Sequence, residues 1–251
     1  MPSRHRLAPV VSDVAARERP EVRAGRRFAV AGAGLVVLVL VVGPLALLVH
    51  DRWSPLLRLD EATSRHAERL VEASPALLTA ARLVTRLGDP LPVTVVSLVM
   101  VVALWARGRR RMALYVLAAR VGALVLSQGL KAVVGRARPV FDAPVASAFG
   151  LSFPSGHALG GSAFWLSTAV LVLPLVPRAR RAVLATAVAV ALLIAASRVL
   201  LGVHYLSDVV AGLVLGIGWT CVCTSLFALW RSDERGRPTA YHRALVPEGD
   251  G

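Results

Sequence analysis

The apolar positions of this chain fall into long unbroken runs, not the three- and four-residue spacing of a helix with one wet face. Phe28–Val49 is an apolar run of 22 residues, long enough to cross hydrocarbon. Further runs follow at Leu91–Ala106, Met112–Val134, His157–Val176, Ala182–Leu200 and, roughly, His204–Trp230, with Leu91–Ala106 short for a span. Together they predict an all-α fold, a bundle of six transmembrane helices. Leu56–Val71 and Ala76–Leu87 carry apolar residues at helical spacing but are neither long nor apolar enough to span, so they read as interfacial helices between the first and second spans. Gly212 and Gly216, four apart in the last run, allow close helix contact. The organisation is a polar, Pro- and Arg-rich tail over 1–27 that reads as disordered, a membrane domain over 28–230, and a second tail over 231–251. A basic stretch before an apolar run could also be a signal peptide. The run is too long for a typical signal core and no small-x-small cleavage site follows it, which favours an uncleaved first span.

Composition supports this outline. The chain has 251 residues, suiting one domain, and 56% are hydrophobic. Its mean hydropathy is +0.64. The formal charge of +14 could suggest nucleic acid, but the arginines flank apolar runs, form no continuous basic face and accompany no nucleic-acid-binding motif. With the N-terminus cytoplasmic, 18 arginines fall on the cytoplasmic side, whereas the outer segment 50–90 carries six against six Asp and Glu. Both termini are therefore expected in the cytoplasm. Cys221 and Cys223, two apart on a helix, point to different faces and read as small packing residues. Lys131 is the single lysine beside 28 arginines, a hint that this position needs a compact ammonium group. Arg120 and Arg198 stand inside apolar runs, where an ionisable group is a functional suspect. For Arg120, snorkelling or an interior structural pair is the plainer reading.

Three short segments fall at span ends that this topology puts on one membrane face. In Lys131–Pro139, Lys131 and Arg138 are seven apart, about two helical turns, and Pro139 predicts the end of the span. The two cations can converge on one phosphate or simply flank the membrane. In Pro154-Ser155-Gly156-His157, Ser155 can cap the next helix and Gly156 lets a backbone N–H approach a ligand. That helix N-terminus is a ready anion site with His157 beside it, or else a plain capped helix with an interfacial histidine. In Ser197–Asp208, His204 and Asp208 are four apart and can meet on a helix. A carboxylate on one ring nitrogen fixes the tautomer and leaves the other nitrogen with a lone pair, as a nucleophilic histidine requires. A buried structural pair is the alternative.

At these residues the chain resembles the type-2 phosphatidic acid phosphatase superfamily, which includes membrane lipid phosphatases, soluble bacterial acid phosphatases and vanadium haloperoxidases. The family pattern K-x6-RP, PSGH and SR-x5-H-x3-D matches in order and without substitution, eleven specified residues between 131 and 208. The resemblance implies His204 as the nucleophile forming a phosphohistidine, Asp208 as its orienting partner and His157 as general acid. It implies Lys131, Arg138, Ser155, Gly156 and Arg198 as the phosphate cradle. No clustered carboxylates or Cys/His ligand sets appear, so a metal-independent reaction without cofactor is expected.

A site at the outer surface among span mouths suits a lipid headgroup whose tail stays in hydrocarbon. The expected substrate is a lipid phosphate monoester or diphosphate, with phosphatidic acid, phosphatidylglycerol phosphate and polyprenyl diphosphates all compatible. Phosphotransfer to an alcohol, a haloperoxidase, and a non-catalytic lipid-binding or transport protein are the other readings. The membrane layout argues against the haloperoxidase, and the complete His204–Asp208 pair with His157 argues against mere binding. Arginine-heavy, lysine-poor composition points to a bacterial inner membrane. The partners expected are the lipid substrate and membrane lipids; oligomeric state is not legible.

Overall fold

The computed structural model describes residues 32, 35–36, 38–141 and 144–235. The predicted tail over 1–27 lies outside the described residues, as does 236–251 of the tail predicted over 231–251, whose first five residues are helical. A short π-helical segment, Leu38–Val42, leads into α1 (Gly43–His50). α2 (Ser54–Ala73) and α3 (Pro75–Thr85) follow, and a 3-10 turn at Arg86–Gly88 joins α3 to α4 (Pro90–Ala106). The remaining helices are α5 (Arg110–Val134), α6 (Gly156–Val172), α7 (Arg180–Leu200) and α8 (Leu206–Arg235). Among the described residues there is no strand.

Among the described residues, four stretches can cross a membrane by length and composition: Pro75–Ala106, Arg110–Val134, Arg180–Leu200 and Leu206–Phe227. Val39–His50 and Gly156–Val172 are apolar but shorter. The two stretches expected between the first and second spans are indeed helical. α2 is amphipathic, with Asp60, Ser64, Ala67 and Val71 buried along one stripe at three- and four-residue spacing. That stripe packs inward against α7 and α8. α3 runs almost directly into α4, so the second stretch and the second span form one nearly continuous unit.

The bundle is centred on α6, which packs against α8, α7 and α5. The α6–α8 contact is close because its residues are small. A Cβ on Gly212 would stand 2.7 Å from the Ser155 carbonyl, and one on Gly216 would stand 1.9 Å from Ser162 Oγ and 2.6 Å from the Leu159 carbonyl. These glycines hold the start of α6, and with it the PSGH segment, against the start of α8, where His204 and Asp208 sit. Gly122 of α5 is bare for a similar reason, since its Cβ would meet the Trp219 ring at 2.1 Å. Cys221 and Cys223 are both free thiols on α8. Gly216→Ala must force the two backbones apart, a strain of about 1–3 kcal/mol. Its thermal unfolding midpoint in detergent should fall by several degrees relative to the unaltered chain; an unchanged midpoint would contradict the packing described.

Candidate active site

The three motif segments meet at the same end of the bundle, around one cavity of about 400 Å³ lined by Lys131, Arg138, Gly156, His157, Arg198 and His204, among others. Asp208 and Ser155 stand behind this lining, both fully buried. Lys131 and Arg138 do not share a helical face, as their spacing had suggested. α5 ends at Val134, and Gly135 caps it at φ 66, in the left-handed region that glycine tolerates. The chain turns there, and Arg138 reaches the cavity from a loop. Its Nε and Nη2 donate to the carbonyls of Gly150 and Phe149, at 3.0 and 3.1 Å, and Nη1 donates to the Val203 carbonyl at 2.7 Å. The Lys131 ammonium donates to the Leu151 carbonyl.

His204 lies in the turn just before α8 and Asp208 in the first turn of that helix, so the pair straddles the helix start. Arg138 Nη1 is 3.0 Å from His204 Nε2. A guanidinium can only donate, so Nε2 accepts and the ring proton is on Nδ1. That nitrogen faces Asp208 Oδ2 at 3.5 Å and Ser152 Oγ at 3.3 Å. Ser152 Oγ also donates to Asp208 Oδ2 at 2.5 Å, and the Tyr205 N–H donates to the same oxygen at 2.9 Å. Burial pushes the His204 imidazole down to about 4, against the opposing pull of Asp208. It is neutral through the physiological range, with a lone pair toward the cavity.

Several groups at the site were not anticipated from the motifs. Arg136, inside the six-residue gap of the first motif, bonds Asp208 Oδ1 through Nη1 at 2.9 Å and Asp60 Oδ2 through Nη2 at 2.7 Å. Asp60 comes from the buried stripe of α2 and also accepts from Ser207 N and Oγ at 2.9 and 2.6 Å. Asp89, the residue before α4, bonds His157 Nε2 through Oδ1 at 2.8 Å. Thr85, at the end of α3, accepts from Arg198 Nη1 at 2.8 Å. Gly88 makes that approach possible, because a Cβ there would stand 2.6 Å from Ile194 Cγ2 and 3.3 Å from the His157 carbonyl. Arg136 stood in plain view within the motif, whereas Asp60 could not be told from the other polar residues of its amphipathic helix. Asp89 and Thr85 left no signal beyond their position near a span end.

The remaining geometry suits an anion. Ser155 Oγ caps α6 by accepting from Ala158 N at 3.4 Å, so this helix presents its N-terminus beside His157. Arg198 Nε is buried without a hydrogen-bond partner among the described residues, a costly state for a guanidinium that a phosphate oxygen would relieve. Among the described residues no group of three or more His, Cys, Asp or Glu converges as a metal ion would require.

This fold and this constellation define a class. Residues 111–232 match the model of the PAP2 superfamily. It is similar to phosphatidylglycerophosphatase B of Bacillus subtilis, 35% identical over 96 residues that cover 37% of this chain and 47% of that one. It is also similar to lipid A 1-phosphatase of Rhizobium johnstonii, 39% identical over 114 residues that cover 41% of this chain and 43% of the other. The chain thus aligns with less than half the length of these curated relatives. Among solved structures it resembles the transmembrane PAP2 type phosphatidylglycerolphosphate phosphatase from Bacillus subtilis. The TM-score is 0.67 at 26% identity, covering 81% of this chain and 98% of that one.

The Asp60–Arg136–Asp208 chain is buried, and removing its central cation strands both carboxylates at a cost of about 3–5 kcal/mol. Arg136→Leu should lower the thermal midpoint sharply, and adding Asp60→Ala should recover part of the loss. Strict additivity of the two changes in a double-mutant cycle would show that the groups are not coupled.

Proposed function

We propose that this chain is an integral membrane lipid phosphatase that hydrolyses a lipid phosphate monoester or diphosphate through a phosphohistidine on His204. The observation carrying this reading is the His204 ring, held with its Nε2 lone pair toward a cavity that is also lined by Lys131, Arg138, Arg198 and a second histidine. The named activities of the relatives point the same way.

In the proposed reaction Lys131, Arg138, Arg198 and the N–H groups at the start of α6 hold the non-bridging oxygens. They balance the charge that builds on the phosphoryl group. Arg138 Nη1 turns from Nε2 to an oxygen of the substrate. His204 Nε2 attacks phosphorus as the bond to the lipid oxygen breaks, and Asp208 steadies the charge that the ring acquires. His157 gives the leaving oxygen its proton. With Nε2 of His157 engaged by Asp89, Nδ1 is the nitrogen that faces the substrate. Water then attacks phosphohistidine and gives a proton to His157, and inorganic phosphate leaves. Protein groups meet all of the charge in this scheme, so it assigns no role to a metal ion or cofactor.

The reading includes six spans, with Val39–His50 and Gly156–Val172 completing the four longer stretches, in a bacterial cell membrane. Both termini are cytoplasmic and the site is extracytoplasmic, following the arginine asymmetry. Transfer to an alcohol acceptor uses the same intermediate, and product analysis with added alcohols separates it from hydrolysis.

Purified protein should release phosphate from detergent-dispersed lipid phosphates at a rate insensitive to EDTA, and vanadate should inhibit it. His204→Ala should lose activity by about three orders of magnitude or more, as knockouts of a catalytic nucleophile do; full activity in that variant would falsify the mechanism. The rate should be bell-shaped in pH. Because only neutral His204 attacks and its pKa is lowered to about 4, the acid limb should fall as pH drops through about 4. A rate that shows no fall on the basic side up to about pH 9 would contradict His157 as the proton donor. Asp89→Asn should cut kcat for lipid phosphates by about 10²-fold, a typical general-acid contribution. It should affect an aryl phosphate much less, because that leaving group departs without a proton. Equal losses on both substrates would remove Asp89 from proton delivery.

A further inference from the structure

Arg120 is buried at 8% exposure within α5, and the mechanism does not use it. It is not the interior ion pair that a buried cation suggests. Its Nε and Nη2 donate to Thr94 Oγ1 at 3.0 and 2.5 Å, and Nη2 also donates to the Pro90 carbonyl at 3.0 Å. Both acceptors are neutral, and Arg120 forms no ion pair with any described residue. Nη1 donates to no described group. A full cation with no counter-charge in an apolar bundle is expensive to keep.

Arg120 lines the same cavity as Lys131, Arg138, His157, Arg198 and His204. On α5 it continues a stripe of cavity-lining positions, Ala123, Leu124, Ser127, Gln128 and Lys131, at three- and four-residue spacing. Its depth can be read from α6. A Cβ on Gly160 would stand 3.0 Å from Arg120 Nη1, so the guanidinium sits over Gly160. Gly160 is four residues beyond Gly156, a descent of about 6 Å along the helix from the end where the phosphate cradle stands. That descent leads toward hydrocarbon, the direction in which a lipid's chains must run.

From this placement we propose that Arg120 binds a second anionic group of the substrate, so that the preferred substrate class is a lipid phosphomonoester joined by a short alcohol spacer to a phosphodiester nearer the acyl chains. The proposal rests on the phosphatase reading for the identity of the first group. A lipid diphosphate fits less well, because its two phosphorus atoms share one oxygen and lie closer than one helical turn. Phosphatidic acid has no second anion to offer. The bare Gly160 leaves space for Nη1 to turn toward the ligand.

The full-length protein in detergent is assayed for phosphate release from phosphatidylglycerol phosphate, phosphatidic acid and a polyprenyl diphosphate. The unaltered protein should show its highest kcat/KM on phosphatidylglycerol phosphate. In Arg120→Gln the ratio of kcat/KM for phosphatidylglycerol phosphate over phosphatidic acid should fall about thirtyfold or more, the scale of removing one member of a desolvated charge pair. Arg120→Lys should restore part of that ratio. An unchanged ratio in a folded Arg120→Gln variant, or a preference for phosphatidic acid or the diphosphate in the unaltered protein, overturns the proposal. If Arg120→Gln does not fold, Gly160→Ala provides the second test, since its methyl crowds Nη1 and should lower the same ratio. Binding of the same lipids by His204→Ala separates the two levels of argument. Absence of phosphate release by the unaltered protein refutes the phosphatase reading. A preference for phosphatidylglycerol phosphate in binding that Arg120→Gln abolishes still sustains the second-anion subsite, and equal binding of all three lipids refutes it.

Discussion

The site depends on a buried arginine shared between two carboxylates. Arg136 spans Asp208 and Asp60, each essentially inaccessible to solvent. Either carboxylate alone at that depth would be driven to take up a proton, and a neutral Asp208 would no longer hold the Nδ1 proton of His204 as an ionised one does. The guanidinium keeps the carboxylate charged without letting water in. It also lies 3.9 Å over the Tyr205 ring, which fixes its plane beside the turn that carries His204. The tautomer of one imidazole thus rests on a chain of charges that reaches back to α2.

Two arginines from one loop act on opposite sides of the same pair. Arg136 takes the carboxylate and Arg138 takes the far nitrogen of the ring. The left-handed cap at Gly135 makes this possible by ending α5 before either arginine. Had the helix continued through Arg138, the two side chains would have diverged by two residues of helical rotation, about 200°. Close glycine contacts between α6 and α8 supply the other condition, bringing the second and third motifs together without a loop between them.

Most of the helices were legible because length and apolarity are strong signals in a membrane chain. Leu91–Ala106 and Met112–Val134 lie close to the observed α4 and α5. The motif residues were legible as well, since fixed spacing of rare polar groups among apolar ones has few other causes. His204 and Asp208 do meet, but across the start of α8 and not along one helix as their separation suggested. The geometry of Lys131 and Arg138 did not, because counting residues assumed a helix that Gly135 stops. Asp60, Thr85 and Asp89 were hidden for a different reason. Each is an ordinary polar residue near a helix end or on an amphipathic face, and only tertiary packing reveals what it touches. Arg120 drew notice as a charge in an apolar run, but its surroundings could not be read from the run itself.

The short 3-10 turn between α3 and α4 is flanked by Thr85, which steadies Arg198, and Asp89, which engages His157. In the reaction proposed above, one small corner therefore serves both the grip on the anion and the supply of the proton. Evolution cannot adjust these two tasks independently through this segment: whatever tilts the corner changes both at once. The corner also precedes the stretch that carries the family signature, so sequences with identical signatures can differ in catalytic temperament through residues that no motif contains.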